Sequence, residues 1–149
     1  MYILLFVVEL APAPSGCVCT TLRMASRVIT RHYDRVLAPL GISTSAYAIL
    51  ARTSSEGPLP LGTLASRLAM DRTTLSRELT PLIDLGLLTA TTATDDRRRR
   101  VVAITRKGAT LVERARPLWA EAQKEVAGDF GVARTKELIA ELHALVGAE

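Results

Sequence analysis

The chain has 149 residues, of which 48% are hydrophobic and 23% are charged, and its formal net charge is +4. This length gives one domain with a real hydrophobic core and excludes a large multidomain enzyme. The composition excludes a disordered or low-complexity chain. Because only 4% of the residues are aromatic, a base-stacking surface for single strands is disfavoured, whereas the mild basicity is compatible with duplex nucleic acid.

Residues 1–16 are predicted to form an apolar N-terminal tail. Met1–Leu10 is almost wholly apolar, but it lacks a basic N-terminal region and is too short to cross a bilayer. The next six residues contain two prolines and a glycine, which interrupt the chain before the first helix. Cys17 and Cys19 are too few for a disulfide framework, so we expect a cytoplasmic protein with no membrane partner.

Residues 18–40 predict a first helix that ends at Pro39 and Gly41. Its apolar side chains recur every three or four residues and form one stripe. They are Val18, Leu22, Ala25, Ile29, Tyr33 and Val36. Arginines occupy the opposite side at every fourth position, and we interpret them as a solvated face. They are Arg23, Arg27, Arg31 and Arg35.

Two shorter helices are predicted next. Ser43 or Thr44 can cap the first of them, which ends near residues 54–55 before a turn at residues 57–60. The other begins at Leu61 and is followed by a tight turn at Met70. Their apolar residues are Tyr47, Ile49 and Leu50 in the first helix, and Leu64, Ala65 and Leu68 in the second.

The helix after this turn is the most informative element. Asp71 is placed to cap it, and we expect Pro81 to bend it. Its apolar stripe is Leu75, Leu79 and Leu82, and its opposite stripe is Thr73, Ser76, Arg77 and Thr80. Hydroxyl groups and an arginine without an acid suit a helix that enters a DNA major groove, so the two helices predict a helix-turn-helix.

Two segments of strand character follow, residues 87–94 and 99–105, and they predict a hairpin. A hairpin directly after a recognition helix is typical of a wing. Four consecutive arginines, Arg97–Arg100, lie at its tip. We favour DNA contact for them over a merely solvated turn.

The C-terminal part predicts a long helix from Thr105 with a kink at Pro117, then a break marked by Gly128 and Gly131, and a last helix over about residues 132–147. The stripe of the long helix is Leu111, Ala115, Leu118, Ala122 and Val126. The last helix carries Leu138, Leu142 and Leu145. One chain offers too little protein to cover these helices, so we expect a homodimer.

Three segments resemble the MarR family of winged-helix transcriptional regulators, and the resemblance extends over nearly all of residues 17–147. LRMASRVITRHYDRVLAPLGIS is similar to the first helix of the family, LASRLAMDRTTLSRELTPLIDLGLL to its helix-turn-helix, and DDRRRRVVAITRKG to its wing. The resemblance implies a mainly α winged helix-turn-helix with a small β wing. It also implies a dimer with intertwined terminal helices, formed by residues 17–40 and 109–149, around a DNA-binding region at residues 41–108.

The resemblance also implies roles for individual residues. Thr73, Thr74, Ser76 and Arg77 would face bases or nearby phosphates. Arg98 would enter the minor groove and pair with Asp71, although Arg97 and Arg99 are open alternatives. The full predicted DNA-binding set is Arg72, Thr73, Thr74, Ser76, Arg77, Thr80, Arg97, Arg98 and Arg99. The implied function is a dimeric regulator, a repressor, that recognises an inverted repeat of double-stranded DNA and is released by a small-molecule or oxidant signal.

Three alternatives compete with this interpretation. A metal- or thiol-responsive sensor would use Cys17 and Cys19, although a Cys-x-Cys pair alone is weak evidence for a metal site. A winged helix used only for protein contacts would not need an arginine-rich wing. An enzyme is disfavoured because no catalytic motif is present, and no cofactor or metal site is predicted.

Two sets of residues are candidates for sensing a signal. Cys17 and Cys19 are candidate redox residues, but we favour their role as small buried apolar side chains. His32, Tyr33 and Trp119 are candidates for an effector pocket by residue type. As core or rim residues they would need no ligand.

Overall fold

The computed structural model describes residues 16–92 and 100–147, so most of the predicted N-terminal tail lies outside the described residues. Its α-helices are α1 (Val18–Leu37), α2 (Thr44–Glu56), α3 (Leu61–Arg67), α4 (Arg72–Asp84), α5 (Arg106–Phe130) and α6 (Val132–Val146). Its strands are β1 (Leu59–Pro60), β2 (Leu88–Thr92) and β3 (Arg100–Ile104). Among the helices of these residues, none is both long and apolar enough to cross a membrane.

Local capping explains where α1 ends and α2 begins. One turn of 3₁₀ helix follows α1 and ends at Gly41, which has a left-handed φ of 69°. Of the two predicted caps of α2, Ser43 is the cap, because its side chain accepts a hydrogen bond from the Ala46 amide at 3.1 Å. Thr44 instead donates from its amide and its hydroxyl to Asp34 Oδ1, both at 2.7 Å, which ties α2 to α1.

Both of the later helices with an internal proline continue beyond it. α4 continues through Pro81 to Asp84, and α5 continues through Pro117 to Phe130. The break predicted around Gly128 and Gly131 is present, but it lies at Gly131, since Gly128 is still within α5. The chain leaves α5 at Gly131, whose φ of 102° favours glycine.

The sheet confirms the predicted hairpin and adds one strand. β3 lies between β2 and β1, with Leu88 opposite Ile104 and Leu59 opposite Val102. The sequence predicted a turn at residues 57–60, and the structure corrects this prediction, because Leu59–Pro60 form strand β1. Pro60, which has no amide hydrogen, is compatible with this short edge strand because a position whose amide side faces away from the neighbouring strand needs no donor for the sheet.

The core lies between the C-terminal end of α1, helices α2 to α5 and the inner face of the sheet. Its largest fully buried apolar side chains are Leu37, Ile49, Leu50, Leu64, Leu75, Leu79, Leu88, Val102 and Val112. On α5 the predicted stripe faces the core, since Ala115 and Ala122 are buried and Leu111 and Leu118 pack against the core, and Val112, which was not predicted, is buried beside them. Gly108 is also buried on the core-facing side of α5. Because glycine has no side chain, the hydrophobic pattern of the sequence does not predict its burial.

Candidate nucleic-acid interface

The orientation of α4 is fixed by its leucines. Leu75, Leu79 and Leu82 are 0%, 1% and 4% exposed, as their spacing predicted. The opposite side is therefore turned to solvent. It exposes Arg72, Thr73, Thr74, Arg77 and Thr80, whereas Ser76 is half-buried.

The exposed side of α4 is free of negative charge over most of its length. None of the exposed residues from Arg72 to Thr80 is acidic, and Glu78 is half-buried on the flank. The Thr80 hydroxyl donates to the Ser76 carbonyl at 3.1 Å, so part of its hydrogen-bonding capacity is used within the helix. The exposed side of α4 therefore presents hydroxyl oxygens and a guanidinium, which are groups that bind phosphates and base edges.

Asp71 caps α4 as predicted. Its Oδ1 accepts from the Thr74 amide at 2.8 Å, and its Oδ2 accepts from the Thr74 hydroxyl at 2.6 Å. These hydrogen bonds, first of all the one from the Thr74 side chain, lower the pKa of Asp71. Because the Thr74 hydroxyl proton is used in this hydrogen bond, the Thr74 side chain presents an acceptor oxygen and a methyl group at the surface.

The turn between α3 and α4 holds the two helices at a fixed angle. Ala69 adopts a left-handed conformation with a φ of 50°, and the Met70 amide donates back to the Ala65 carbonyl at 2.9 Å. The prediction of a tight turn at Met70 is therefore right to within one residue.

The wing is fastened at its base to both neighbouring helices. Thr105 caps α5 by accepting from the Gly108 amide at 3.0 Å, and its hydroxyl lies 2.7 Å from the Gly86 carbonyl, to which it donates. Lys107 Nζ donates to the Leu85 carbonyl at 2.7 Å. The tip of the wing, residues 93–99, lies outside the described residues, and with it lie Arg97, Arg98, Arg99 and the Asp71–Arg98 pair.

A cationic groove that the sequence analysis did not foresee lies beside the N-terminus of α4. It has a volume of about 560 Å³ and is lined by Arg67, Arg72 and Arg100, among other residues. Arg67 Nε lies 3.4 Å from Glu56 Oε2, so its charge is partly compensated. No sequence pattern connects Arg67 with Arg100, because α3 and β3 are brought together only by the fold.

The three candidate effector residues lie in one aromatic cluster, together with Tyr47, which was not predicted. Successive ring centroids lie 5.9 Å apart for His32 and Tyr33, 6.4 Å for Tyr33 and Trp119, and 6.1 Å for Tyr47 and Trp119. The cluster joins α1, α2 and α5. Burial raises the pKa of Tyr33 and of Tyr47.

His32 is packed against α5 without a hydrogen bond. Its Nε2 lies 3.1 Å from Glu125 Oε2, a distance compatible with an ion pair. The orientation of the ring does not satisfy hydrogen-bond geometry, however, and both ring nitrogens are buried without a partner. The neighbouring Tyr33 hydroxyl donates to Gln123 Oε1.

A cavity of about 660 Å³ lies beside the cluster, between α2 and α5. Trp119, Tyr47 and Arg116 are among its lining residues, whereas His32 and Tyr33 are not. Of the three candidate effector residues, Trp119 alone is therefore a lining residue of this cavity. Trp119 faces the cavity, and His32 and Tyr33 lie behind it as packing residues.

The preferred interpretation of the two cysteines, as buried apolar side chains, is wrong for the single chain. Cys17 and Cys19 are both exposed, because α1 begins at Val18 at the outer end of the fold. The Thr20 hydroxyl donates to Cys17 Sγ at 3.2 Å and lowers the pKa of this thiol.

The terminal helices present apolar side chains to solvent. On α6, Leu138 is 44% exposed and Leu145 is 61% exposed, whereas Leu142 is half-buried. On α1, Val18 is 62% exposed. Within residues 16–92 and 100–147, no group of three or more His, Cys, Asp or Glu side chains is arranged to hold a metal ion.

Comparison with known proteins gives one consistent result. Residues 40–99 match the model of the MarR family. The HTH-type transcriptional regulator SarZ of Staphylococcus saprophyticus is 30% identical over 95 residues, which are 64% of this chain and 65% of SarZ. The match therefore spans slightly less than two thirds of the length of this curated relative.

Two solved structures are similar over most of the chain. The Mycobacterium tuberculosis transcriptional regulator MosR, solved in complex with DNA, has a TM-score of 0.77 and 33% identity, with 89% of this chain and 97% of that chain covered. The Staphylococcus aureus MepR–DNA complex has a TM-score of 0.75 and 20% identity, with 89% and 98% covered. MepR supports the fold alone, whereas MosR is similar in sequence as well.

Proposed function

Because this chain belongs to the MarR family of transcriptional regulators, we propose that it binds double-stranded DNA as a homodimer and represses transcription from a palindromic operator. The observation that carries this proposal is the exposed, acid-free side of α4 opposite its buried leucines. The family and fold are those of regulators, so the chain is not an enzyme. The crystallised DNA complex of MosR supports the same mode of action.

In this proposal α4 enters the major groove and the wing reaches the adjacent minor groove. The residues proposed to contact DNA are Arg72, Thr73, Thr74, Ser76, Arg77 and Thr80 on α4, and Arg97, Arg98 and Arg99 on the wing. Asp71 acts twice, as the cap of α4 and as the carboxylate that orients Arg98.

The exposed apolar side chains of α1 and α6 support the homodimer. Leu138, Leu145 and Val18 would be unusual on the surface of a lone small domain, and a second copy would cover them. A two-fold dimer presents two copies of α4, so its operator is an inverted repeat with half-sites about one helical turn apart.

Selection of bound fragments from sheared genomic DNA tests the proposal. The expected result is enrichment of a palindrome that one dimer protects, with affinity that falls steeply as salt rises. A reporter gene placed behind the selected fragment should be silenced by the protein. Binding of one monomer to an isolated half-site at full affinity would contradict the dimer, and activation of the reporter would contradict repression.

We propose two alternative release signals, each supported by one observation. The cavity beside Trp119 favours a small-molecule effector, whereas the exposed Cys17 thiol and the nearby Cys19 favour an oxidant. Peroxide treatment distinguishes them. If peroxide releases the wild type from DNA and a Cys17→Ser, Cys19→Ser variant stays bound, the oxidant signal is supported. If both proteins stay bound to DNA in peroxide, the small-molecule effector is supported instead.

A further inference from the structure

Gly62 and Arg72 make a contact that depends on the absence of a side chain at position 62. Gly62 lies in the first turn of α3, and a Cβ atom built on it would lie 2.8 Å from Arg72 Nη2 and 3.3 Å from Arg72 Cζ and Nε. The Arg72 guanidinium therefore rests on the backbone of α3. Any larger residue at position 62 would displace it.

The surroundings of this contact are suited to an anion. Gly62, Arg72 and Arg100 line the same groove of about 560 Å³. Among the described residues, no carboxylate forms an ion pair with Arg72 or Arg100, whereas Arg67 on the same groove is paired with Glu56. Two guanidinium groups without a described counter-charge therefore face one opening, next to the N-terminus of α4.

We propose that this groove binds a backbone phosphate of DNA and that Gly62 is the positioning residue that holds Arg72 for it. The inference deepens the proposed function and rests on it. A guanidinium presents a planar pair of donors that matches two phosphate oxygens. Because the backbone at Gly62 supports this plane before binding, less side-chain entropy is lost when the phosphate arrives.

The structure also explains why position 62 can be tested without harming the fold. The three atoms nearest to an added Cβ at Gly62 all belong to the flexible end of the Arg72 side chain. Alanine is also a better helix former than glycine. Gly62→Ala should therefore leave the folded protein at least as stable while it moves the guanidinium.

The experiment measures binding of the full chain to a fluorescent random-sequence DNA duplex across a range of salt concentrations. Arg72→Ala should weaken binding about 10-fold and lower the slope of log affinity against log salt by about one. Gly62→Ala should weaken binding about 3-fold, because the charge is retained but misplaced. In the Arg72→Ala background, Gly62→Ala should have no further effect.

Gly128→Ala is the matched control, because Gly128 is also helical and a Cβ there would have no neighbour within 4 Å. It should bind like the wild type. Wild-type affinity of Gly62→Ala, or an equal loss in the Arg72→Ala background, would overturn the inference while leaving DNA binding intact. Failure of the wild type to bind the duplex at low salt would instead overturn the proposed function itself.

Discussion

Asp71 holds Thr74 through both carboxylate oxygens, one bonded to the backbone amide at 2.8 Å and the other to the hydroxyl at 2.6 Å. The pair closes the first turn of α4 at the point where the helix would meet DNA. One side-chain pair therefore stabilises the helix and fixes the orientation of a residue on its exposed side.

This pair predicts a pH dependence of stability. Since the hydrogen bonds lower the pKa of Asp71 in the folded state, its contribution is present above the ordinary aspartate pKa of about 4 and is lost as the pH falls through the lower folded value. Asp71→Ala should lower the urea midpoint at neutral pH and reduce the acid sensitivity. Asp71→Asn should keep most of the cap and lose the pH dependence, and an unchanged acid profile in both variants would contradict this assignment.

Replacement of Arg77 and replacement of Arg98 should impair DNA binding in different ways. If Arg77 contacts a guanine, Arg77→Ala should cost about 1–3 kcal/mol of binding and relax selectivity at one position of each half-site. Arg98→Ala should weaken binding to most sequences and lower the salt slope by about one, because a minor-groove arginine responds mainly to groove shape and potential. Titration against operator and scrambled duplexes separates the two. Equal losses on both duplexes for Arg77→Ala would reassign that residue to the phosphates.

Charges on the exposed leucines of α6 should disrupt the dimer. Leu138→Glu combined with Leu145→Glu should weaken association at least about 100-fold, because burying an unpaired carboxylate costs several kcal/mol. Sedimentation velocity measures the shift from dimer to monomer. Lys136→Glu changes an exposed charge on the same helix and should remain dimeric. A dimeric double variant would show that these leucines lie outside the interface.

Gly108 should tolerate no side chain. An added Cβ would overlap the Leu87 backbone oxygen and approach Ile104 Cγ1 to 2.8 Å. The backbone of Leu87 cannot yield as a flexible side chain would, so Gly108→Ala should destabilise the protein by about 1–3 kcal/mol or more in urea unfolding. Gly128→Ala, in the same helix but in open space, should be neutral or stabilising by up to about 1 kcal/mol.

The elements that were predictable from sequence are those set by local periodicity and capping. The leucine spacing of α4 and the position of Asp71 determine which side chains are buried and where the helix begins, and both features are present within a few consecutive residues. The hairpin is likewise a local feature, since β2 and β3 are neighbours in sequence.

The features that were missed depend on contacts between distant parts of the chain. Leu59 becomes a strand residue only because Val102 lies opposite it. Tyr47 reaches Trp119 only when α2 packs on α5. The exposure of Cys17 follows from where α1 leaves the rest of the fold, and no property of the cysteine itself reveals it.

α5 runs without interruption for 25 residues, from the base of the wing to the neighbourhood of α6. At a rise of 1.5 Å per residue this is a rod about 37 Å long. The wing is clamped to one end of it by Thr105 and by the close approach of Gly108 to Leu87, and the aromatic cluster lies near its middle. A tilt of about 5° about one end would displace the other by about 3 Å, so a small change in packing near the middle of α5 would produce a larger displacement at the base of the wing.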